Sequence, residues 1–523
     1  MGHSEESPRG QAANHDARSE VSEAGDALLH SKRPSRRNFM IILVSAISSF
    51  CFGYGNNAGG GCYAQETFVR KFLSGSNADA LIDAMNAIFL AGGFIGTILQ
   101  SFVSDKLGRR FCTEMAAILM VISGVLSAAS VNPAMFIVAR GIGGISGGII
   151  LANTPVYMSE IAPAHIRGLL VGMHATTVLS GYVLSAVLAV AFNFVTSDIQ
   201  WRLQFIMLTI FSLIFAVSVL FIPESPRWLV EQDRVDEARN IMEKLHRTKA
   251  DPTAILARVE IVQIQAQVDF ERDLPHSYWY ILSNAHLRKR AYCSIITFAM
   301  VQSTGLVVIF NLTPILFGNL GFNNVQQLGL STVWVTIGAI GAATNAFLAD
   351  RVGRVKLLVT GGYLLTINMA IQCALQKTYL HSTYKPGINA SVAFFFIFIL
   401  FYSTCCDCVV YVYNAEIWPT HLRSKGVTFG VGSYFLFGIA YSGPAAQAFK
   451  SIGWKYYLVF ICVTFVTATL ILFTFPETKG LSLEEVNVKF GDSVEMTLRD
   501  IQLDDMLDDS KPTVERTEVE TVE

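Results

Sequence analysis

Asp105-Lys-Leu-Gly-Arg-Arg110, then Glu160 and Arg167, then Pro223-Glu-Ser-Pro-Arg227, form an ordered set. The set recurs as Asp350-Arg-Val-Gly-Arg354, then Glu416 and Arg423, then Pro476-Glu-Thr-Lys479. The Glu-to-Arg spacing is identical in both (167 − 160 = 423 − 416 = 7). Corresponding Asp, Glu and Pro residues are offset by 245, 256 and 253 positions (350 − 105, 416 − 160, 476 − 223). Charges that return half a chain later, each time between apolar stretches, imply two parallel repeats of membrane-crossing helices, an architecture built for transport.

Working outward, the 523 residues are 52% hydrophobic and 15% charged, with a mean hydropathy of +0.43. Those values lie outside the ordinary soluble range. Apolar runs reach the ~20 residues that cross a bilayer as helix. Spans are expected at 38–58, 84–104, 111–131, 134–157, 168–194 and 203–222. A second series is expected at 290–318, 328–349, 355–376, 391–414, 426–449 and 455–475. The expected fold is therefore an all-α membrane protein of about twelve helices in two pseudo-symmetric six-helix bundles.

The net charge of −2 hides a segregated distribution. Lys32, Arg33, Arg36 and Arg37 precede the first span, while Lys106, Arg109 and Arg110 follow the second and Arg167 follows the fourth. Arg351, Arg354 and Lys356 follow the eighth span, and Arg423 and Lys425 the tenth. The alternate loops carry fewer cations, so the positive-inside rule predicts both termini in the cytoplasm. Nothing in this pattern suggests a nucleic-acid partner. A polar stretch precedes the first span, which speaks against a cleaved signal peptide, and Glu6 stands where a myristoylation motif wants Ser or Thr.

The expected organisation is a disordered tail at 1–37, a bundle at 38–222 and a polar linker at 223–289. A second bundle at 290–475 and a tail at 476–523 complete it. In the linker, Val235, Ala238, Ile241, Met242 and Leu245 recur at helical spacing between charged residues, predicting amphipathic helices that brace the two halves. The acidic C-terminal end reads as a solvated tail. Asn389-Ala-Ser391 fits a glycosylation sequon but abuts a span. The 9 cysteines fall mostly within spans, against a disulfide framework. Cys405-Cys-Asp-Cys408 invites a metal reading, yet neighbours on a helix point in different directions, and packing is the better account. No nucleophile motif, phosphate loop or cofactor signature emerges, so no enzyme and no cofactor is expected.

An alternating-access machine needs bonds that hold one state and break in the other. Arg–carboxylate pairs near water suit that purpose, because they are bidentate and charge-assisted yet separable. Asp105, Arg109, Arg110, Glu160, Arg167, Glu224 and Arg227, with Asp350, Arg354, Glu416 and Arg423, are the candidate gate. As a single motif these would read as ordinary positive-inside anchors. The doubled set with matched spacing favours the gate.

Pro155-Val-Tyr-Met-Ser-Glu160 through Arg167-Gly168, Pro223-Glu-Ser-Pro-Arg-Trp228, the Asp105–Arg110 stretch and Pro476-Glu-Thr-Lys-Gly480 resemble motifs of the sugar porter family of the major facilitator superfamily. The resemblance runs from about residue 38 to 486, and Tyr413-Asn-Ala-Glu-Ile-Trp-Pro-Thr-His-Leu-Arg423 is similar to fungal members. It implies two six-helix bundles rocking about a central substrate cavity. It also implies a small-molecule solute, a sugar or polyol, moved across a lipid bilayer, with protons as a candidate coupling partner and the plasma membrane as the expected site.

The expected pocket departs from the family. Helix seven reads Val301-Gln302-Ser-Thr-Gly305, with Asn311 beyond it, where the family carries Gln-Gln-x-x-Gly-x-Asn and paired tyrosines. His174 stands at the family's sugar-binding Gln, Tyr411 at its Trp, and Tyr434-Phe435 where Asn-Trp is common. Gln302, Asn311, Tyr411, Tyr434, His174 and Asp407 are the candidate binding residues. Either the ligand is not an ordinary hexose, or groups such as Asn311, Asn345 and Tyr434 compensate, since a lost partner worth about 1–3 kcal/mol can be regained elsewhere.

Proton-coupled relatives carry Phe-Gly-Tyr-Asp in helix one, whereas this chain has Phe52-Gly-Tyr-Gly55. Asp407 sits at membrane depth instead, with three open roles: proton carrier, ligand for a cationic or hydroxylated solute, or partner of a broken helix. The sequence therefore predicts a carrier of small polyhydroxylated solutes, with a specialised-metabolite transporter and a non-transporting nutrient sensor as alternatives.

Overall fold

A computed structural model describes residues 35–63, 65–75, 78–162, 167–247, 254–272, 274–310, 317, 322, 324–379, 384–443, 445–481 and 483–491. Six long helices form the first half: α1 (Arg36–Cys62), α2 (Ala78–Leu107), α3 (Arg109–Ala129), α4 (Pro133–Ile161), α5 (Arg167–Phe192) and α6 (Gln200–Val219). The second half contains α7 (Ala285–Ser303), α8 (Asn324–Val352), α9 (Arg354–Tyr379), α10 (Lys385–Glu416), α11 (Arg423–Ser442) and α12 (Tyr456–Thr474).

Among the described residues, eleven helices are long and apolar enough to cross a membrane. The expected span at 426–449 is the helix α11, 20 residues long, which falls below that apolar threshold. Its glycines, serines and tyrosines lower its hydropathy, yet it packs on α7 within its own half and on α2 of the other. Large apolar side chains such as Ile95, Ile118, Val217, Ile340 and Phe473 remain exposed on the outer surface, which suits a lipid solvent. The chain is thus a multi-pass integral membrane protein.

Packing repeats as the sequence does. The pairs α1–α5, α2–α4 and α3–α6 of the first half correspond to α7–α11, α8–α10 and α9–α12 of the second. Between halves, α2 lies on α11 and α5 on α8, which the same pseudo-symmetry relates. The α2–α4 contact depends on glycine: a Cβ on Gly96 would lie 2.0 Å from the Ile145 carbonyl oxygen, and one on Gly148 2.0 Å from that of Gly93. Small residues let the backbones meet, and dispersion holds the pair where lipid offers no hydrophobic drive.

The turns between α2 and α3 and between α8 and α9 are made by Gly108 (φ +94°) and Gly353 (φ +114°). A Cβ at these sites would fall 2.4 Å from Glu224 Oε2 and 2.6 Å from Glu477 Oε2. Those carboxylates occupy the space because each accepts from the free backbone N–H groups of the next helix. Glu224 takes Arg109 N (2.9 Å) and Arg110 N (3.1 Å), and Glu477 takes Arg354 N (2.8 Å) and Val355 N (3.1 Å).

Two helices are broken at mid-depth. After α7, Gly305 (φ +81°) interrupts the helical path. Within α10, a π-helical turn at Ser403–Asp407 separates Lys385–Tyr402 from Cys408–Glu416. Asn345 of α8 holds this turn, its amide donating to the Thr404 carbonyl (2.5 Å) while its oxygen accepts from Cys408 N (3.0 Å) and Val409 N (3.1 Å).

Four short helices follow the first half: Pro226–Glu231, Val235–His246, Ile255–Glu271 and Tyr278–Ser283. Ala238, Met242, Ile261, Ile264 and Val268 bury a small core of their own. Trp228 Nε1 donates to the Asp105 carbonyl (2.9 Å) and Tyr278 to Ser101 Oγ (2.7 Å), both in the first half. Arg227 reaches Thr420 Oγ1 (3.3 Å) and Glu271 accepts from His421 N (3.1 Å), both in the second.

Candidate functional site: a central cavity and an ion-paired end

Near one end of the bundle, the repeated motifs assemble two near-identical clusters. Arg109 grips Glu160 through Nε to Oε2 (3.1 Å) and Nη2 to Oε1 (3.2 Å), and both residues are at most 2% exposed. Arg354 grips Glu416 in the same bidentate way, at 3.2 and 2.9 Å. Ser225 donates to Glu160 and Thr478 to Glu416, the latter at 2.7 Å. Tyr157 donates to the Pro223 carbonyl (2.8 Å) as Tyr413 does to that of Pro476 (3.3 Å).

Other charges cross between the halves. Arg423 Nη1 reaches Glu160 Oε1 at 3.3 Å, so Glu160 binds an arginine from each half. Lys425 pairs with Asp105. Asp350 accepts from Gly168 N (3.1 Å) and Leu169 N (2.8 Å) while pairing with Arg354 Nη2 (2.9 Å). Arg167 donates to the Leu481 carbonyl (3.4 Å). Glu224 and Arg110 act within the first half, Arg110 Nη2 donating to the Leu220 carbonyl (3.0 Å). Lys425, and the backbone N–H groups that face Asp350, were not among the expected partners. The sequence shows which charges exist, but the rotation of α5 and α11 decides what they meet.

Three carboxylates beside this end are shifted. Burial raises Glu224 above the usual range despite its backbone donors. Burial also lifts Glu231 to about 7, against the nearby Arg109 guanidinium at 3.9 Å. Burial works upward on Glu271 too, but the hydrogen bond and charge of His421 hold it below the ordinary value.

Away from the ion pairs, a cavity lies between the halves, with about 1000 Å³ of empty space counting its open side. Of its 21 lining residues, eight are aromatic: Phe52, Phe89, Tyr182, Phe310, Trp334, Tyr402, Tyr411 and Tyr434. Its polar groups are few. They comprise Asn56 and Asn86, the tyrosine hydroxyls, Arg140 and Asp407.

Tyr411, Tyr434 and Asp407 thus share one wall, as the sequence placed them in one candidate site. Gln302 lies behind it, buried and donating to the Tyr434 carbonyl (2.9 Å). His174 is also buried, with Nδ1 2.7 Å from Ser49 Oγ and its ring edge-on to Tyr411 at 4.8 Å. Asn311 lies outside the described residues. Asn345 is committed to the π turn rather than to the cavity.

Arg140 was missed in the sequence, although an arginine inside the apolar run 134–157 is itself a signal. Its Nη1 donates to the Gly55 carbonyl (2.9 Å), at the position where proton-coupled relatives carry aspartate, and its guanidinium lies 4.2 Å from the Phe89 ring centroid. A Cβ on Gly59 would sit 2.6 Å from Arg140 Cζ, so that glycine makes room for the guanidinium. Asn56 donates to the Tyr182 hydroxyl across the same wall.

Residues 41–490 match the family model described as "Sugar (and other) transporter". The chain is 29% identical over 450 residues to the MFS-type transporter criB of Aspergillus cristatus, covering 86% of this chain and 92% of that one. It is 27% identical over 478 residues to high-affinity glucose transporter 1 of Candida albicans, covering 87% and 86%. Among solved structures, the proton:xylose symporter XylE bound to 6-bromo-6-deoxy-D-glucose superposes with a TM-score of 0.78 at 24% identity, covering 88% of this chain and all of that one.

Proposed function

The chain belongs to the sugar transporter family, and on that premise we propose that it carries a sugar or related small polyhydroxylated solute across a membrane by alternating access. The observation behind this reading is one cavity between two pseudo-symmetric bundles, with interdomain ion pairs beyond it at one end. Glu160–Arg423, Asp105–Lys425 and Asp350 with the α5 backbone are the bonds to be surrendered when the halves rock apart, while Arg109–Glu160 stays within the first half. Arg354–Glu416, Glu224 and Arg110 would keep each half rigid during that motion. Arg227 and the linker helices would tie the halves at the same end. Tyr411, Tyr434 and Asp407 would contact the solute, with Gln302 and His174 supporting Tyr434 and Tyr411 from behind.

The charge distribution supports both termini in the cytoplasm, which makes the ion-paired end the cytoplasmic one, and the family resemblance points to the plasma membrane as the membrane it serves. Coupling turns on two residues. Gly55 removes the helix-one carboxylate, which favours facilitated diffusion, and Asp407 is the remaining candidate for a proton at membrane depth. The test is flux of labelled hexoses, pentoses, disaccharides, polyols and quinate into vesicles carrying the purified chain, with and without a protonophore. Saturable, protonophore-insensitive sugar flux is the expected result. Protonophore sensitivity would replace facilitated diffusion with symport.

A second reading, transport of a specialised metabolite, is favoured by the cavity itself. Sugar sites replace water's hydrogen bonds with side-chain amides, and this wall has two amides against eight aromatic rings. A non-transporting sensor would bind solute without any flux in the same vesicles.

A further inference from the structure

Among the described residues, Asp407 stands on the cavity wall without an ion-pair partner. It closes the π turn of α10, and its Oδ2 is shielded from solvent and accepts no hydrogen bond among the described residues. Arg140, the other charge lining the cavity, is engaged at a different part of the wall by the Gly55 carbonyl and the Phe89 ring, and forms no ion pair with Asp407. Asn345 spends both ends of its amide on the backbone of the same turn and so does not relieve the carboxylate.

A carboxylate in a low-dielectric cavity is stabilised by a proton, by neutral donors or by a cation. A hydroxylated solute supplies hydrogen bonds but leaves the charge uncompensated. An ammonium supplies both, and it also gains from aromatic faces. Tyr182, Tyr402, Tyr411 and Tyr434 line the cavity together with Asp407. An acid among tyrosine rings is the chemistry that recognises an organic amine, while the remaining aromatic wall suits the C–H faces or rings of its carbon skeleton.

We propose that the transported solute carries a protonated amine that docks on Asp407 among these tyrosines. The inference rests on the carrier reading above and narrows its substrate class. The π turn contributes by setting the direction of Asp407, since one extra residue in the turn rotates all that follows relative to a continuous helix. Amino-substituted sugars and small aromatic amines both meet the requirement.

Two probe pairs test it, each exchanging an ammonium for a hydroxyl: D-glucosamine against D-glucose, and tryptamine against tryptophol. Binding is measured calorimetrically on the purified full-length chain. In at least one pair the ammonium member is expected to bind about tenfold tighter or more, as a charge-assisted contact should. Asp407→Asn should abolish that preference, and Asp407→Glu should keep part of it, which guards against a variant that merely fails to fold. Equal affinities within both pairs, a preference that survives in Asp407→Asn, or no binding of any probe would overturn the proposal. A neutral, protonated Asp407 produces the first of these results. Flux of all four probes into vesicles carrying the purified chain separates the two claims. Flux without amine preference removes this inference and leaves the carrier, whereas amine-selective binding without any flux removes the carrier and leaves the docking site.

Discussion

Glu160 is the carboxylate that both halves share. Oε1 faces Arg109 Nη2 and Arg423 Nη1, while Oε2 takes Arg109 Nε and the Ser225 hydroxyl. Burying such a cluster stabilises little by itself, because desolvation offsets most of the Coulomb attraction. Removing the one anion is different, since two guanidiniums then lose the charge between them. Glu160→Gln is therefore expected to cost roughly 3–5 kcal/mol of stability in this arrangement, read as a lower melting temperature of the purified chain and a severe loss of turnover. A variant with unchanged melting and unchanged flux would remove Glu160 from the gate. At this scale the sequence was half legible. The repeated Asp, Arg and Glu residues announced themselves by spacing, but Arg109–Glu160 and Arg354–Glu416 pair within a half and not across the expected interdomain gate. The partners of Asp105 and Asp350 were not readable, because a lysine and two backbone N–H groups carry no motif. Gly168 illustrates why: a Cβ there would lie 2.2 Å from Asp350 Oδ1, a constraint that exists only once α5 and α8 are packed.

The short helix Pro226–Glu231 connects the gate to pH. Its Glu231 side chain lies 3.9 Å from Arg109 Nη1, and its Oε1 is buried without a hydrogen bond among the described residues. Burial lifts this carboxyl from 4.5 to about 7, with Glu160, Asp105 and Glu271 adding to the rise and Arg109 opposing it. An acid whose value is raised on folding binds a proton in the folded state that the unfolded chain has already released. Its contribution is therefore complete below pH 4.5 and is lost as pH climbs from there through 7. Glu231→Gln should remove that loss, so the variant gains stability over the parent across this window, by up to about 3 kcal/mol at its upper end. Melting curves of both proteins at a series of pH values decide it, and parallel profiles would refute the assignment. Elements were more legible than contacts. Apolar run length located the helices, and Gly108 and Gly353 located two turns. The π turn of α10 was invisible, because its run is continuous and the cause, an Asn345 amide on α8, lies 59 residues from the Thr404 carbonyl it holds.

Over the whole molecule, the repeat in the sequence and the pseudo-symmetry of the packing express one constraint. Each half must be rigid enough to move as a body, and the bonds between halves must be weaker than those within. The intrahalf clusters fit the first requirement, with both arginines bidentate and buried. The interhalf ion pairs fit the second, being single contacts at one end: Arg423 meets Glu160 through one nitrogen, though both are buried, and Asp105 opposite Lys425 is partly open to solvent. The cavity could not be read in this way, because its wall is assembled from both halves and its chemistry depends on which face each helix presents. If the ion-paired end must separate in every cycle, tying it shut should stop transport without harming the fold. Asp105→Cys with Lys425→Cys, made in a Cys462→Ser background because Cys462 is the exposed native thiol, places one cysteine in each half at that end. A short, reducible thiol crosslinker is expected to abolish solute flux in vesicles and reduction to restore it, while either single cysteine should leave flux insensitive to the reagent. Full crosslinking with undiminished flux would mean that the halves do not part there, and the ion pairs would then be anchors rather than a gate.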